Sequence, residues 1–376
     1  MRFLILTNDY TEFLAWLYAQ PQHPGLKRRR YEEQMRARIE SLFGGPYIYS
    51  NHLRELGHES QDIYFNNKYM QKAWAWENGL RVKGDWQWKF RLRRGIVPWL
   101  FRVREGRWLY DILAAQIKHY KPDVLLNLAM DGINGHFLKE MKPYVRLLMG
   151  QHAASPLPET MDFSCYNLLS SSFPPTVEYF RRKGIPAELH HLGFDPNWLS
   201  CVEAEERTVD VTFIGSFYPI HSSRIAWLEG LCSAFPQLKV WSPNINHLAP
   251  NSPIRACYEG PAWGRTMYRI LARSKITLNN HGDFAPYANN GRLYEATGMG
   301  TLLMTDWKEN LHELFEPGKE VVAYRSSHEC AELVRYYLEH DNEREAIAHA
   351  GQERTLRAHT EYQRALELLE IVHKYL

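Results

Sequence analysis

Short apolar runs alternate with longer helical stretches along most of the chain. The first run is 3–6, FLIL, and similar runs lie at 124–128 and 145–149. Apolar runs of about four to eight residues between polar or small residues are typical of strands buried in a parallel sheet, because both faces of such a sheet are covered. Their alternation with helical stretches predicts a doubly wound α/β domain.

The stretch between the first two predicted strands is expected to be mainly one helix. The basic run 27–30 leads into it, and its apolar positions continue through Leu53 and Leu56. Gly57 stands where a helix would end, because glycine readily adopts the left-handed conformation of a helix C-terminus. A second strand is then predicted at 60–65.

The second half of the chain opens with a strand of the same kind. The run 209–214, VDVTFI, ends at Gly215, and a helix is predicted to follow. This repeats the strand, small-residue loop and helix of the first half, whereas the GxGxxG pattern of dinucleotide sites is absent. We therefore expect two Rossmann-like domains, at 1–196 and 207–359, with a helix over 360–376.

The stretch 289–306, NNGRLYEATGMGTLLMTD, predicts a loop, a helix beginning near Asn290 and a buried strand. A helix N-terminus offers unpaired backbone N–H groups and a positive dipole end, which favour a phosphate. Glu295, one turn inside, is placed to accept hydrogen bonds from two hydroxyls of a nucleotide's sugar. The same residues also fit a plain αβ unit in which Asn290 caps the N-terminus and a glycine caps the C-terminus.

The C-terminal part of the chain resembles a known family. The runs RLYEATGMGTLLMTD, LHELFEPGKEVVAYRS and IAHAGQERTLRAHTEYQRALELL lie within 291–369 and are similar to the C-terminal half of GT-B glycosyltransferases, most of all to the spore maturation protein (CgeB-like) branch. The resemblance implies two α/β domains that face each other across a cleft, with the last helix crossing back to the first domain. It also implies transfer of a sugar from a UDP-, GDP- or dTDP-linked donor to a glycan, lipid-linked or protein acceptor, with no other cofactor.

The resemblance also indicates which residues hold the donor. Glu295 matches the second glutamate of a two-glutamate motif that contacts the donor ribose in related retaining enzymes, whereas Tyr287 stands in place of the first. His152 matches a histidine that touches the donor sugar. The loops after 209–214 and before the Glu295 helix would face the phosphates. The candidates there are Gly215, Ser216, His221, Arg224, Asn280, Asn289, Asn290, Gly291 and Arg292.

The reaction that this resemblance implies must stabilise a departing diphosphate. The helix N-terminus, Arg292 or Arg224 can supply positive charge without a metal, although Arg224 also fits an ordinary surface position on a helix. No DxD-type metal pair is present, so we expect no metal. Retention is the expectation from the family, and Asp9, Asp131 and His152 are the candidate bases if the reaction inverts.

The segment 67–108 departs from the α/β pattern. It holds six of the 12 tryptophans, interleaved with many arginines and lysines and few acids. Such interleaving is typical of single-stranded nucleic-acid sites, membrane interfaces and sites that stack sugar rings. An insertion that packs its tryptophans on the parent domain and leaves a solvated basic face is the alternative. We expect an acceptor or membrane contact before nucleic acid, because nothing else in the chain favours nucleic acid.

Composition narrows these expectations. A chain of 376 residues favours two domains, and a net charge of +2 gives no general attraction to nucleic acid. The five cysteines are widely separated, which argues against a disulfide framework or a zinc site and favours a reducing cytoplasm. No run approaches the roughly 18 apolar residues of a membrane span, and MRFLILTND is too short for a signal peptide. We expect a cytoplasmic protein, with 67–108 as a candidate for peripheral contact at the inner face of the membrane.

A non-catalytic module is the alternative from another functional class. In that interpretation a GT-B shell binds a glycan or a membrane through 67–108, and Tyr287 is a sign of lost activity. Glu295 argues against it, because a shell that only binds a surface does not need a ribose contact beside a phosphate-binding turn.

Overall fold

The computed structural model contains two parallel β-sheets of six strands each and one antiparallel pair of strands. It describes residues 1–44, 47–82, 86–93, 97–104, 106–152, 161–202, 206–217, 222–282 and 286–376. The strands are β1 (Arg2–Thr7), β2 (Glu59–Tyr64), β3 (Trp86–Arg93), β4 (Val97–Arg104), β5 (Val124–Asn127), β6 (Leu147–Gln151), β7 (Leu168–Ser171), β8 (Ala187–Leu189), β9 (Val209–Ile214), β10 (Lys239–Trp241), β11 (Tyr258–Gly260), β12 (Ser274–Asn279), β13 (Leu302–Asp306) and β14 (Val322–Tyr324).

Helices connect these strands. They are α1 (Thr11–Leu17), α2 (Tyr31–Glu40), α3 (Tyr47–Glu55), α4 (Lys68–Glu77), α5 (Arg107–Tyr120), α6 (Gly135–Met141), α7 (Pro174–Arg182), α8 (Asn197–Cys201), α9 (Ser222–Ala234), α10 (Ile254–Cys257), α11 (Arg265–Arg273), α12 (Gly291–Gly298), α13 (Leu311–Leu314), α14 (Ser327–Glu339), α15 (Asp341–Ala358) and α16 (Glu361–Tyr375).

The two large sheets have the strand orders of doubly wound domains. The first runs β2-β1-β5-β6-β7-β8 and the second β11-β10-β9-β12-β13-β14, with parallel pairing throughout. In each sheet the order reverses beside the domain's first strand, β1 or β9. Ligands of open α/β sheets bind at the carboxyl ends of the strands next to this point, which here are the ends of β1, β5, β9 and β12.

The apolar runs form the cores that their pattern predicts. Phe3 in β1 lies opposite Val124 in β5, and both are fully buried, because helices cover both faces of the first sheet. Leu368 and Val372 of α16 belong to the same cluster of buried side chains as Phe3. The last helix therefore crosses back from the second domain to the first, and the expected two doubly wound α/β domains are confirmed.

The predicted long helix before β2 is wrong. Helix α2 ends at Glu40, Leu42 has a left-handed backbone with φ of 56°, and α3 begins only at Tyr47. After the end of α2 the carbonyl of Ser41 accepts a hydrogen bond from the backbone N–H of Arg265 in the second domain, at 2.9 Å. The sequence also disfavours a continuous helix here, because two glycines and a proline stand at 44–46.

The segment 67–108 contains helix α4, the antiparallel β3–β4 hairpin and the start of α5. Trp108 packs with Ala75 and Ile112 in the core and is 3% exposed, whereas Trp76 is 78% exposed. Some of these tryptophans thus pack on the parent domain, which agrees with the interpretation of this segment as an insertion with buried tryptophans. The side chains of the hairpin lie outside the described residues. Within the described part of the chain, no helix has the length and apolar character needed to cross a membrane.

Candidate functional site

The N-terminus of α12 is held at the carboxyl end of β12. Asn290 caps the helix, its side chain accepting the backbone N–H of Leu293, and it exchanges hydrogen bonds with Asn279 of β12, whose Nδ2 and Oδ1 lie 3.3 and 2.9 Å away. Asn289 donates from Nδ2 to the backbone carbonyl of Ser172 in the first domain, at 2.8 Å. The predicted cap at Asn290 is confirmed, and the helix start is tied to both domains.

Glu295 lies one turn into α12 and forms an ion pair along the same helix face. Its Oε2 is 2.9 Å from Nη1 of Arg292, with side chains 20% and 12% exposed, respectively. A Cβ built on Gly291 would be 3.5 Å from Oε1 of Glu295, so the carboxylate lies against the first turn of the helix. Glu295 therefore has a structural partner and is also partly open to the cleft.

Three neighbouring cavities meet at Glu295. The aromatic cavity, of about 210 Å³, is lined among others by Tyr10, Phe43, Trp241, Trp263 and Arg292. The polar cavity, of about 450 Å³, is lined among others by Gly215, Ser216, Arg224, Asn280, His281, Tyr287, Asn289, Asn290, Gly291 and Arg292. The hinge cavity, of about 360 Å³, is lined among others by Tyr49, Asp131, Gln151, His152, Trp198, Gly291 and Glu361. Glu295 lines all three.

Arg224 connects the two loops of the polar cavity. It donates from Nη2 to the carbonyl of Asn280 at 2.7 Å and from Nη1 to the carbonyl of Ser216 at 3.3 Å. Burial lowers the pKa of Arg224 to about 10, which leaves the guanidinium charged at neutral pH. The loops after β9 and β12 are thereby held around a buried positive charge. His221, a further candidate, lies outside the described residues.

His281 also lines the polar cavity, although it was not among the candidates from the sequence. Its Nδ1 lies 2.7 Å from Oδ1 of Asp306, at the end of β13, while no described residue partners its buried Nε2. Burial acts to raise the pKa of Asp306, but hydrogen bonds from His281 and the charge of Lys308 outweigh burial and lower it. The available signal in the sequence was an acid at the end of one predicted strand and a histidine in the loop after the strand before it.

The hinge cavity brings together His152 and Asp131. His152 is 4% exposed, and no described residue partners its Nδ1. Burial lowers the pKa of His152, while the charge of Asp131 acts against this effect. A neutral imidazole in this position is able to accept a hydrogen bond from a hydroxyl group.

Asp9 is not placed with them. Its carboxylate takes two contacts from Arg38, Nη2 to Oδ1 at 2.8 Å and Nε to Oδ2 at 3.3 Å, and both residues are buried. Asp9 lines none of the three cavities. Its carboxylate is therefore occupied by Arg38 in this arrangement, a contact that its place after the first strand did not reveal.

Glu361, the first residue of α16, is a second residue that the sequence did not single out. It lines the hinge cavity beside Tyr49 and Gln151, and neither Glu361 Oε2 nor Gln151 Oε1 has a hydrogen-bond partner among the described residues. Burial raises the pKa of Glu361 to about 7. The hinge cavity thus carries unsatisfied polar groups of the kind that a hydroxyl-bearing ligand or water would pair.

Metal ligands are not grouped in the described part of the chain. No three His, Cys, Asp or Glu side chains there are arranged to hold a metal ion. Arg224, Arg292 and the N-terminus of α12 lie at the polar cavity, where each favours an anionic group.

Comparisons with known proteins agree with this fold. Residues 198–370 match the family described as glycosyl transferase-like. Similar solved structures include a glycosyltransferase from Rickettsia africae, with a TM-score of 0.60, 10% identity and coverage of 100% of this chain and 98% of that one. HepE from Anabaena in complex with UDP-glucose has a TM-score of 0.59, 12% identity and full coverage of both chains. The pneumococcal O-GlcNAc transferase GtfA, in complex with UDP and GlcNAc, has a TM-score of 0.55, 10% identity and coverage of 100% and 99%.

The fold is therefore the GT-B fold of glycosyltransferases. The second domain is also glycosyl transferase-like in sequence. No curated protein matches the chain in sequence.

Proposed function

We propose that this protein transfers a sugar from a nucleotide-sugar donor to an acceptor bound on the first-domain side of the cleft. The observation that supports this most is the position of Glu295, whose carboxylate borders both an aromatic cavity and a polar, cationic cavity at the start of α12. A nucleotide has the same order of parts: a planar base, a ribose with two hydroxyls, and a diphosphate.

The proposed placement follows from the chemistry of each part. The base stacks in the aromatic cavity, and the ribose hydroxyls donate to Glu295. The diphosphate lies in the polar cavity, at the N-terminus of α12 and near Arg224 and Arg292. As the sugar–phosphate bond breaks, negative charge develops on the diphosphate, and these cations and N–H groups stabilise it from fixed positions.

UDP is the first nucleotide to test, because HepE and GtfA were each solved with UDP or a UDP-sugar. GDP- and dTDP-linked donors are the further candidates. The resemblance of 291–369 to CgeB-like and retaining GT-B enzymes supports retention of configuration and a metal-independent reaction. His152 in the hinge cavity is the proposed contact to the donor sugar. A glycan, lipid-linked or protein acceptor completes the proposal, with 67–108 as a candidate contact to the acceptor or to a membrane surface.

The test is thermal shift followed by turnover. UDP, GDP, dTDP and inorganic pyrophosphate are titrated into the protein, and a ligand at 100 times its Kd is expected to add about 2.7 kcal/mol of stability. The sugar-linked form of the best nucleotide is then incubated with the protein, and release of free sugar is measured. If no nucleoside diphosphate raises the melting temperature, the proposed function is wrong and a non-catalytic module takes its place.

A further inference from the structure

The walls of the aromatic cavity come from both domains. Tyr10 and Phe43 belong to the first domain, and Trp241 and Trp263 to the second. The rings of Phe43 and Trp263 meet edge to face, with centroids 5.0 Å apart, and Tyr10 lies 6.1 Å from Trp263. A planar ligand in this cavity would therefore be in contact with both halves of the molecule.

The first-domain wall is held in place by a buried arginine. Arg38 donates from Nη1 to the carbonyl of Phe43 at 2.5 Å and from Nη2 to the carbonyl of Gly44 at 3.2 Å. Arg38 is 2% exposed, and Asp9 neutralises its charge through two contacts. Phe13 stacks on Phe43 with centroids 4.2 Å apart. The segment 41–44 thus has a fixed shape, although it is neither helix nor strand.

The same segment touches the second domain through a close backbone contact. Ser41 accepts the N–H of Arg265, and a Cβ built on Gly264 would lie 1.9 Å from the carbonyl oxygen of Ser41. Gly264 also has φ of 50°, a conformation that glycine adopts most easily. Only glycine at this position lets segment 41–44 approach Trp263 so closely.

We propose that the nucleoside of the donor is bound between the two domains, with segment 41–44 as its first-domain wall and Arg38 as the residue that positions this wall. This inference rests on the proposed function. The ligand class is a planar heterocyclic base joined to ribose, because the cavity is lined by aromatic rings and ends at Glu295. Binding of the nucleoside then holds the two domains together, whereas binding of the diphosphate alone depends mainly on second-domain groups.

The experiment compares the affinity for UDP with the affinity for inorganic pyrophosphate. Stacking on an aromatic side chain contributes to the binding of a base, so we expect Phe43→Leu to weaken UDP binding by about tenfold and to leave pyrophosphate binding nearly unchanged. Trp16→Leu is the matched control, since Trp16 packs in the same aromatic cluster but does not line the cavity.

A second variant tests the contact between domains. Gly264→Ala drives a methyl group into Ser41, and we expect a larger loss of UDP affinity than with Phe43→Leu. Gly260→Ala controls for backbone strain, because Gly260 also has a positive φ, of 109°, but a Cβ there would meet nothing within 4 Å. Arg38→Lys retains a charge beside Asp9 but lacks the planar fork that reaches two carbonyls, so it is expected to lower the ratio of UDP to pyrophosphate affinity.

The outcomes separate the two proposals. If wild-type protein binds UDP and both Phe43→Leu and Gly264→Ala bind it equally well, the inference is overturned and the proposed function stands. If Arg38→Lys lowers thermal stability without changing the affinity ratio, Arg38 is only structural, and its positioning role is refuted. If the wild type binds no nucleoside diphosphate, the proposed function itself is wrong.

Discussion

Replacing Glu361 by glutamine is expected to make the folded protein less sensitive to alkaline pH. Burial raises the pKa of Glu361 to about 7, Arg364 opposes this effect, and Asp195 and Glu295 add to it. In the unfolded chain a glutamate titrates near its ordinary value of 4.5. The folded state therefore holds a proton that the unfolded state releases between these two pH values.

The sign and magnitude follow from this difference. The contribution of the protonated carboxyl to stability is fully present below pH 4.5 and is lost as the pH rises through about 7. At about 1.36 kcal/mol for each pH unit of separation, the loss amounts to about 3 kcal/mol. Glutamine has the same shape and no ionisation, so Glu361→Gln is expected to match the wild type near pH 4.5 and to exceed its stability by about 3 kcal/mol above pH 8.

Urea denaturation at a series of pH values measures this effect. Glu370→Gln is the matched control, because it is the same substitution at an exposed position of the same helix, α16. A residual pH dependence is expected in both variants, since burial also raises the pKa of Asp62 to about 6. A constant difference between Glu361→Gln and wild type across the whole series would refute the reasoning, as would an equal gain in Glu370→Gln.

Three further changes test the donor site. Glu295→Gln removes the charged acceptor for the ribose and is expected to weaken UDP binding by roughly 10-fold to 100-fold in calorimetry; a lower melting temperature of the ligand-free variant with unchanged affinity would make Glu295 only the partner of Arg292. His152→Ala is expected to lower turnover while UDP affinity holds, and a large drop in that affinity would remove His152 from the sugar subsite. Arg224→Met is expected to weaken both UDP and pyrophosphate by about tenfold or more, because it removes a buried charge beside the diphosphate; a loss confined to UDP would contradict its placement there.

The fold was predictable because its signal is local. The run 3–6 is apolar throughout and completely buried, as expected for a strand of a sheet that is covered on both faces. The start of α12 was predictable for the same reason: Asn290 caps the helix through a hydrogen bond to a residue only three positions away. Glu295 and Arg292 are likewise one helical turn apart, so their ion pair also depends on local spacing.

Other features depend on residues that are distant in the chain. The break between α2 and α3 is accompanied by a contact between Ser41 and Arg265, which no local pattern predicts, although Gly44, Gly45 and Pro46 already disfavour a continuous helix. The imidazole of His281 is held by the carboxylate of Asp306, 25 residues further along the chain. The hinge cavity is lined by residues from both ends of the chain, from Tyr49 to Glu361. The sequence does not identify such residues, because the residues they contact in the folded protein lie far away along the chain.

Asp9 shows the limit most directly. Its position at the carboxyl end of the first strand is the usual place for a ligand contact in an α/β sheet, and the sequence alone made it a candidate base. The tertiary structure places Arg38 against it, and Arg38 in turn donates a hydrogen bond to the carbonyl of Phe43 in segment 41–44. The sequence by itself determined the sheets, the capped helix and the position of Glu295 one turn inside that helix, because these depend on burial and on contacts within one helical turn. Only the tertiary structure decided which side chains share a cavity, because that depends on how the two domains meet.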